Sequence, residues 1–300
     1  MNVILATRKS PLALAQASLI AQRLNLAYPA VEVSFLGITT TGDRGQGSSY
    51  NNKGVFVKEV EEALLSGKAH AAVHSLKDLP AVLDERFALA AIGPKEDPRD
   101  AWVGKKWSGP EAAPPGTVIG TASPRRQALL SRFFPHLLTM PLRGNLGTRL
   151  ARLEEGRVDA LILARAGLAR LGLGRLGQPL PENVFIPAPC QGVLAVEVLA
   201  GEEPFSSLFA SLDDARARIC ATAERACAAA LGVDCRTPFG AQAYFFRQRL
   251  FFRAFVAHPV GTPFLSIEMD GALEDPEALG RAAAEDFFRR GAKKILGERL

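Results

Sequence analysis

Short apolar runs alternate with helical patterns along the first part of the chain, and this alternation constrains the fold more than any other feature. Ser10 followed by Pro11 is a strong signal for the start of a helix. The predicted strands cover residues 3–6, 31–38 and 71–74, and the predicted helices cover residues 12–26 and 55–65. This order predicts βαβ units and a mainly parallel sheet.

Two proline-rich segments, at residues 92–103 and 179–189, divide the pattern into two units. They are typical of a chain that crosses from one domain to the next and later returns. The elements predicted between them are a strand at 117–120, a helix from Pro124, a strand at 160–163 and a helix at 165–171. The sequence predicts a first α/β domain of residues 1–93 with 193–212 and a second of residues 98–188. Two crossings are the layout of a hinged, cleft-binding protein.

The composition changes at residue 215, where a helix rich in Ala, Arg and Cys begins. Strands are predicted after it at 243–246, 250–258 and 264–269, followed by a helix at 276–290. Residues 215–300 are therefore expected to form a small α+β domain with a three-stranded meander.

Composition narrows the class of protein. The 300 residues exceed what one hydrophobic core usually spans, and 48% apolar with 22% charged residues is typical of soluble globular proteins. The first residues do not match a signal peptide, and no apolar run reaches the about 18 residues of a membrane span. The four cysteines form no CxxC pair. We expect a cytoplasmic monomer with reduced thiols, no metal and no membrane partner.

Five arginines lie between Gly120 and Arg149. They are Arg125, Arg126, Arg132, Arg143 and Arg149, and the turn-forming Gly144 lies among them. Guanidinium groups bind carboxylate or phosphate in a bidentate way, and the Ser-Pro sequence before Arg125 predicts a helix N-terminus, which also attracts anions. The alternative is a solvated basic surface, which is what most charge runs are.

Further polar residues follow predicted strands, where open α/β sheets place ligands. Arg8 and Ser10 follow the first strand, and Lys77 and Asp78 follow the third. Ser10 could serve only as a helix cap, and Lys77 with Asp78 could form only a surface ion pair of little energy. The position of Asp78 at a strand end favours a functional carboxylate.

Cys235 lies between Asp234 and Arg236 in a loop bounded by Gly and Pro. A lone cysteine is most often a small buried hydrophobe, but an exposed thiol beside a cation is a plausible nucleophile. Cys220 and Cys227 are seven residues apart on one predicted helix, which indicates core packing on one face.

Nine motifs together resemble one family. In chain order they are ATRKSPLALAQ, HSLKDLP, EDPRDAW, TASPRRQ, LRGNLGTRL, ARAGLARLG, PAPCQG, TAERA and DCRTPFGA. One such motif would be weak, whereas an ordered set from Arg8 to Gly240 is specific. On these residues the chain resembles the porphobilinogen deaminase family, whose members are also called hydroxymethylbilane synthases.

The resemblance implies two α/β domains hinged like those of periplasmic binding proteins, and a small α+β domain with a three-stranded sheet. It implies a dipyrromethane cofactor attached to Cys235 by a thioether. The implied transferase reaction condenses four porphobilinogen molecules head to tail onto that cofactor, releases ammonia, and then releases hydroxymethylbilane for tetrapyrrole biosynthesis. Each pyrrole carries an acetate and a propionate, so the arginines would bind carboxylates.

By motif position the resemblance implies three overlapping sets of site residues. The cofactor-binding set is Cys235, Ser75, Lys77, Asp78, Thr121, Ser123, Arg125, Arg126, Arg143 and Gly144. The substrate-binding set is Arg8, Ser10, Lys53, Arg149, Arg170 and Gln191, and the catalytic set is Asp78, Arg8, Lys77, Arg143 and Arg149. Asp78 would stabilise the positive charge that develops on the pyrroles when ammonia leaves. No motif includes Arg132, which is assigned to the solvated surface.

Three positions depart from the family pattern. Two asparagines precede Lys53 where a glycine pair is commoner, Cys190 occupies a position where glycine is expected, and Pro124 replaces an aliphatic residue. Cys190 would place a second thiol near the cleft. Pro124 would stiffen the helix start without removing a ligand.

A binding module without enzymatic activity is the competing class, either a hinged anion-binding protein or a nucleic-acid binder. Nucleic-acid grooves interleave basic residues with stacking aromatics, whereas residues 120–149 contain only the adjacent Phe133 and Phe134. A periplasmic binder would carry an export signal. No nucleic-acid partner is therefore expected.

Overall fold

The computed structural model describes residues 1–40 and 57–297. The chain divides into two compact units, Met1–Glu96 with Val193–Arg218 and Asp97–Gly192 with Ile219–Leu300. Lys53 lies outside the described residues, as does most of the polar loop around it. No helix in the described part of the chain is both long enough and apolar enough to cross a bilayer.

The described residues form thirteen strands and nine α-helices. The strands are β1 (Asn2–Arg8), β2 (Glu32–Ile38), β3 (Ala71–Ser75), β4 (Phe87–Ile92), β5 (Asp100–Gly104), β6 (Val118–Gly120), β7 (Leu138–Met140), β8 (Ala160–Ala164), β9 (Gln178–Pro179), β10 (Leu194–Leu199), β11 (Phe239–Phe246), β12 (Arg249–Ala257) and β13 (Phe264–Gly271). The helices are α1 (Pro11–Ala27), α2 (Lys58–Leu65), α3 (Pro124–Phe133), α4 (Leu146–Glu154), α5 (Arg165–Arg170), α6 (Phe205–Ala210), α7 (Ala215–Leu231), α8 (Pro276–Arg289) and α9 (Ala292–Leu296).

The first unit is a five-stranded sheet covered on both faces. Its strand order is β2-β1-β3-β10-β4, and β10 runs antiparallel to both of its neighbours while β1 is parallel to β2 and β3. Because side chains alternate along β1, Leu5 faces a core that includes Ile20 of α1, and Ala6 faces a core that includes Leu64 of α2. Burial on both faces explains why the strands are short apolar runs.

The second unit repeats this plan with the order β7-β6-β8-β5-β9. Here β6 is parallel to β7 and β8, while β5 is antiparallel to β8 and β9. In each sheet the antiparallel strand is therefore the first strand after a crossing. The antiparallel strand brings its starting residue to the same edge of the sheet as the carboxyl ends of the parallel strands.

A three-stranded antiparallel sheet, in the order β11-β12-β13, completes the second unit and confirms the predicted meander. One face of it packs against α8, and Phe255 on the other face joins a core that also contains Phe134 and Phe185. The compact second unit combines residues 97–192 with the C-terminal region. A separate third domain at 215–300 stays a prediction.

The sequence analysis did not predict β4, β5 or β7. In particular, β5 begins at Asp100, inside the segment interpreted as a crossing between domains. The crossing is shorter than expected because Asp100, although charged, is fully buried with partners distant in sequence. The predicted return of the chain to the first sheet through β10 is confirmed.

Candidate active site

Polar residues gather at the carboxyl edge of the first unit's sheet. Arg8 is the last residue of β1, and Ser75 is the last residue of β3. Lys77 and Asp78 follow directly in a single 3₁₀ turn. Ser10 caps α1, because its Oγ accepts a hydrogen bond from Ala13 N at 3.3 Å, as predicted from the Ser-Pro sequence.

A pocket at this edge brings these side chains together. It is lined by Arg8, Ser10, Leu12, Ala13, Gln16, Val57, Val60, Val73, His74, Ser75 and Asp78. Asp78 itself is exposed, whereas His74 is 8% exposed. The pocket therefore combines an apolar wall with a carboxylate, a guanidinium, an imidazole and two hydroxyls.

Gln16 is a pocket residue that the sequence analysis did not single out. Its Nε2 donates a hydrogen bond to Ser75 Oγ at 2.8 Å, and the residue is 5% exposed. A polar amide on the buried side of α1 needs a partner. The signal in the sequence was a glutamine on the face of the helix that also presents Ala13, Ala17 and Ile20 to the core.

In the second unit, the corresponding edge carries the predicted arginine pair. Thr121 follows β6 and is buried, and its Oγ1 accepts a hydrogen bond from Ser123 N at 3.2 Å. Ser123 occupies the N-cap position of α3. Arg125 and Arg126 lie in the first turn of that helix, and both are buried.

Asp100 holds both arginines. Its Oδ2 accepts from Arg125 Nη2 at 2.6 Å and its Oδ1 from Arg126 Nη2 at 2.7 Å. Each guanidinium also donates to a backbone carbonyl, Arg125 to Ile186 and Arg126 to Ile162. The two arginine charges keep the pKa of Asp100 well below its usual range despite complete burial. Arg125 and Arg126 are therefore buried, whereas side chains that line an open ligand-binding cleft would be exposed.

Asp100, Arg125 and Arg126 form a buried cluster, the Asp100 cluster, which has a net positive charge and a hydrogen-bond donor without an acceptor among the described residues. One carboxylate faces two guanidinium groups, which leaves a formal charge of +1. Arg126 Nε is buried and has no hydrogen-bond partner among the described residues. Buried donors of this kind are rare because they lose their hydration without replacement. An anionic ligand would supply both the missing charge and the missing acceptor.

Gln191 contacts a backbone carbonyl just before β5, and Arg170 contacts one just before β10. Gln191 is 1% exposed, and its Nε2 donates to Pro98 O at 2.7 Å and to Asp100 Oδ1 at 2.9 Å. Arg170 Nη2 donates to Gly192 O at 2.8 Å. These contacts give Gln191 a supporting role for the Asp100 cluster. Direct contact of either side chain with substrate stays a prediction.

The glycine turn between Arg143 and Arg149 has the conformation that its sequence indicates. Gly144 has a φ of +112°, which a residue with a side chain adopts only with strain. Arg149 Nε donates to Gly144 O at 2.9 Å, and Asn145 caps α4 by accepting from Thr148 N at 2.9 Å. Arg143 is exposed.

Cys235 is the exposed cysteine of the four, and Cys190, Cys220 and Cys227 are buried. The guanidinium of the adjacent Arg236 is paired with Asp234 through Nε at 2.8 Å. The predicted core packing of Cys220 and Cys227 is confirmed, and burial raises the pKa of the Cys227 thiol. An exposed thiol remains accessible for covalent attachment, which a buried one is not.

The strand that follows the Cys235 loop is fixed by close backbone contact. A Cβ at Gly240 would lie 2.6 Å from the Phe255 ring and 2.8 Å from Ile186 O. Ala241 N donates to Pro187 O at 3.0 Å. Only glycine fits this contact, so the second half of the DCRTPFGA motif holds one end of the cysteine loop in place.

Cys190 has a φ of 60° and is 2% exposed, so the thiol is buried. Its backbone N donates to the buried carboxylate of Glu224, whose other oxygen accepts from Ala243 N at 2.8 Å. The left-handed conformation explains why glycine suits this position. Glu224, in the TAERA motif, is a residue to which the sequence analysis gave no role.

Two family models match nearly the whole chain. The porphobilinogen deaminase dipyrromethane cofactor-binding domain matches residues 3–207, and the porphobilinogen deaminase C-terminal domain matches residues 218–289. The chain belongs to the porphobilinogen deaminase family. Porphobilinogen deaminases make hydroxymethylbilane in tetrapyrrole biosynthesis and carry a dipyrromethane cofactor, and this chain is one of these transferases.

Curated porphobilinogen deaminases resemble the chain over its full length. That of Thiobacillus denitrificans is 45% identical over 299 residues, with 98% of each chain covered. That of Laribacter hongkongensis is 46% identical over 299 residues and covers 98% of this chain and 97% of its own.

Solved structures similar to the chain include two binding proteins. The methionine-binding protein MetQ has a TM-score of 0.43 and 11% identity, with 70% of this chain and 89% of MetQ covered. The BvgS VFT2 domain of Bordetella pertussis has a TM-score of 0.42 and 15% identity, with 70% of this chain and 86% of the domain covered.

The chemistry of several residues in the second unit suits a dipyrromethane. In the second unit, the exposed Cys235 thiol can form a thioether, and the Asp100 cluster has an excess positive charge. The Nε donor of Arg126 in that cluster has no acceptor among the residues that the structure describes. A pyrrole with an acetate and a propionate supplies the matching carboxylates. The donor set therefore fits a dipyrromethane.

Replacing Asp100 by asparagine is expected to destabilise the second unit strongly. It would leave two buried guanidinium groups without their counter-charge, and loss of one partner of a buried ion pair typically costs about 3–5 kcal/mol. Urea unfolding at neutral pH measures the difference. As a control, Asp270→Asn removes a partly exposed carboxylate paired with Arg249 and should cost at most about 1 kcal/mol.

The pH dependence of this difference has a definite sign. Because the folded-state pKa of Asp100 is lowered, its contribution to the free energy of unfolding is fully present above the unfolded-state pKa and lost as pH falls through the folded-state value. The gap between wild type and Asp100→Asn should persist down to about pH 4 and shrink only in stronger acid. If the difference in the free energy of unfolding disappeared between pH 7 and pH 5, that result would contradict a lowered pKa of Asp100.

Proposed function

We propose that Cys235 carries the dipyrromethane through a thioether. The observation that carries this assignment is the exposure of its thiol in a chain whose three other cysteines are buried. When bound, the group supplies the pyrrole carbon to which the first substrate unit is joined. The residues of the chain bind and orient the substrates and manage the protons.

Arginines of the second unit hold carboxylates in this proposal. Arg126 offers its buried Nε, and Asp100 with Gln191 fixes the orientation of both guanidinium groups. The exposed Arg143 and the half-buried Arg149 are placed on either side of a rigid glycine turn for arriving carboxylates. The full cofactor-binding set proposed is Cys235, Ser75, Lys77, Asp78, Thr121, Ser123, Arg125, Arg126, Arg143 and Gly144.

Asp78 is the proposed catalytic carboxylate of the first unit. Its carboxylate shares a pocket with Arg8 and Ser10, so a substrate whose carboxylate is held by Arg8 would present its ring to Asp78. Loss of ammonia leaves positive charge on the pyrrole, and a fixed carboxylate beside that charge stabilises the transition state. Lys77, Arg143 and Arg149 complete the proposed catalytic set, and Ser10, Lys53, Arg149, Arg170 and Gln191 complete the proposed substrate-binding set with Arg8.

An assay of the purified chain tests the function directly. Incubation with porphobilinogen should release one ammonia for each porphobilinogen consumed. One hydroxymethylbilane molecule should form for every four porphobilinogen molecules consumed. A chain that binds porphobilinogen without releasing ammonia would be a binding module, and the proposed roles would fail.

We further propose that the enzyme is a cytoplasmic monomer that acts without nucleic acid or membrane partners. Its predicted domains are 1–93 with 193–212, 98–188 and 215–300. Light scattering during size-exclusion chromatography measures the mass in solution. A mass near 32.1 kDa is expected, and a dimer at working concentration would contradict the proposal.

A further inference from the structure

A histidine and a glutamate are buried together beside the pocket that contains Asp78. His74 lies on β3 and Glu197 on β10, and their strands are antiparallel neighbours. His74 Nε2 is 3.1 Å from Glu197 Oε2, and the Glu197 residue is fully buried. Ala195 is opposite His74 in the register, so Glu197 lies diagonally across on the same face of the sheet.

Within the described part of the chain, no hydrogen-bond donor compensates for the burial of Glu197. Among the described residues, neither of its carboxylate oxygens accepts a hydrogen bond, and the His74 ring lies at ion-pair distance without the alignment of a hydrogen bond. An isolated buried carboxylate is costly, so the pair is stable when it holds one proton, as imidazolium with carboxylate or as imidazole with carboxylic acid.

His74 connects this pair to the pocket. His74 is among the residues that line the same pocket as Asp78, Arg8 and Ser10, whereas Glu197 is not. A proton held by the pair is therefore adjacent to the place where a substrate amine must be protonated before it can leave as ammonia. A structural ion pair has no need of a member that faces this pocket.

We propose that the His74–Glu197 pair is a proton reservoir for deamination, an inference that rests on the proposed role of the Asp78 pocket. Porphobilinogen binds with its amine in the neutral form, and His74 donates one proton to that amine nitrogen. The C–N bond breaks, its electron pair leaves on nitrogen, and ammonia departs with that proton. The new C–C bond then forms at the accepting pyrrole carbon, and the proton displaced from that carbon returns to the pair.

The charges on the pair and on the substrate favour both proton transfers, the donation to the amine and the return to the pair. After donation, the pair has a charge of −1 and faces the positive charge left on the substrate, so it stabilises that charge together with Asp78. The negative charge of the pair and the positive charge on the joined pyrroles also attract each other, which favours the return of the proton.

Other ionisable groups lie near the pair. Glu61 on α2 interacts electrostatically with both His74 and Glu197, Arg8 and Asp78 line the pocket with His74, and Asp84 and Arg86 interact with Glu61. Burial raises the pKa of Glu61, and the negative charge of Glu197 adds to the rise. Variants of the pair must therefore be compared over a full pH range.

The test compares kcat across pH for the holoenzyme and two variants. His74→Gln should lower kcat by about a hundredfold, the lower range for general acid–base catalysis, with KM changed less than threefold. Glu197→Gln should lower kcat by a smaller factor. Because this carboxylate lies 3.1 Å from the ring that donates the proton, its removal should also change the limbs of the kcat profile across pH.

Asp213→Asn is the matched structural control. Asp213 is a partly buried carboxylate of the same unit, accepts from Ile92 N at 2.7 Å, and does not line the pocket. This variant should lose stability in urea while its kcat profile keeps the wild-type limbs. The inference is wrong if Glu197→Gln keeps the wild-type kcat and limbs, or if Asp213→Asn shifts them equally.

An NMR measurement keeps the inference testable if the pair variants do not fold. The chain has four histidines, so imidazole ¹⁵N signals can be assigned. In Asp78→Asn, which should bind porphobilinogen and turn it over only slowly, binding should change the His74 signals. Unchanged His74 signals would overturn the inference. Normal turnover in Asp78→Asn would instead refute the proposed role of Asp78.

Discussion

Replacing Cys235 by alanine is expected to abolish both cofactor attachment and activity. The intact mass of the wild-type protein should exceed its sequence mass by the mass of a dipyrromethane, and Cys235→Ala should have its sequence mass alone. The reason is that Cys235 presents an exposed thiol, whereas Cys227 is buried and its pKa is raised. Mass spectrometry of both proteins and a porphobilinogen consumption assay measure the two effects.

Cys190→Gly is the control for this experiment. It removes another thiol at a position where the backbone has a φ of 60°, which glycine adopts without strain. The control should keep the mass excess and remain folded. An active Cys235→Ala protein without added mass would overturn the assignment of the attachment site.

Replacing Asp78 by asparagine is expected to lower kcat by at least about a hundredfold, the usual effect of removing one electrostatic group from a transition state. Asparagine has nearly the same shape but lacks the charge that would stabilise a pyrrole cation. Asp78 is exposed at the pocket edge, so the change should affect the free energy of unfolding little. The mass excess from the cofactor should also remain. Steady-state kinetics and intact mass measure these results.

Asp84→Asn is the matching control, because Asp84 is an exposed carboxylate paired with Arg86 on the same connection between β3 and β4. It does not line the pocket, and its kcat should match that of the wild type. A normal kcat in Asp78→Asn, or equal losses in the two variants, would remove Asp78 from the proposed mechanism.

The parts of the fold that could be predicted from sequence are those specified by local signals. Ser10 and Pro11 start α1 as expected, and the alternation of short apolar runs with helical patterns indicated βαβ units. By contrast, β5 was missed because its first residue, Asp100, follows a charged segment with two prolines. Its burial depends on arginines 25 and 26 residues away, which no local pattern reveals.

The same distinction holds for the site. Arg8, Ser75 and Asp78 could be placed together because the carboxyl ends of parallel strands meet at one edge of a sheet. The pairing of His74 with Glu197 could not, since 122 positions intervene in the sequence and only the antiparallel return of β10 brings them together. The motifs drew attention to the arginine pair but did not indicate that Asp100 would bind both guanidinium groups in the interior.

The late synthesis of β10 also affects the order in which the protein folds while it is being translated. Among the described strands of the first unit, β4 pairs only with β10, and β10 is synthesised after residues 97–192. A nascent chain that ends near residue 96 therefore has β4 without its partner, and its parallel strands leave an open edge. The last strand of the second unit's five-stranded sheet ends at residue 179, so this sheet can complete its strand pairing first. Completion of the first sheet must wait until the chain has left and re-entered that unit.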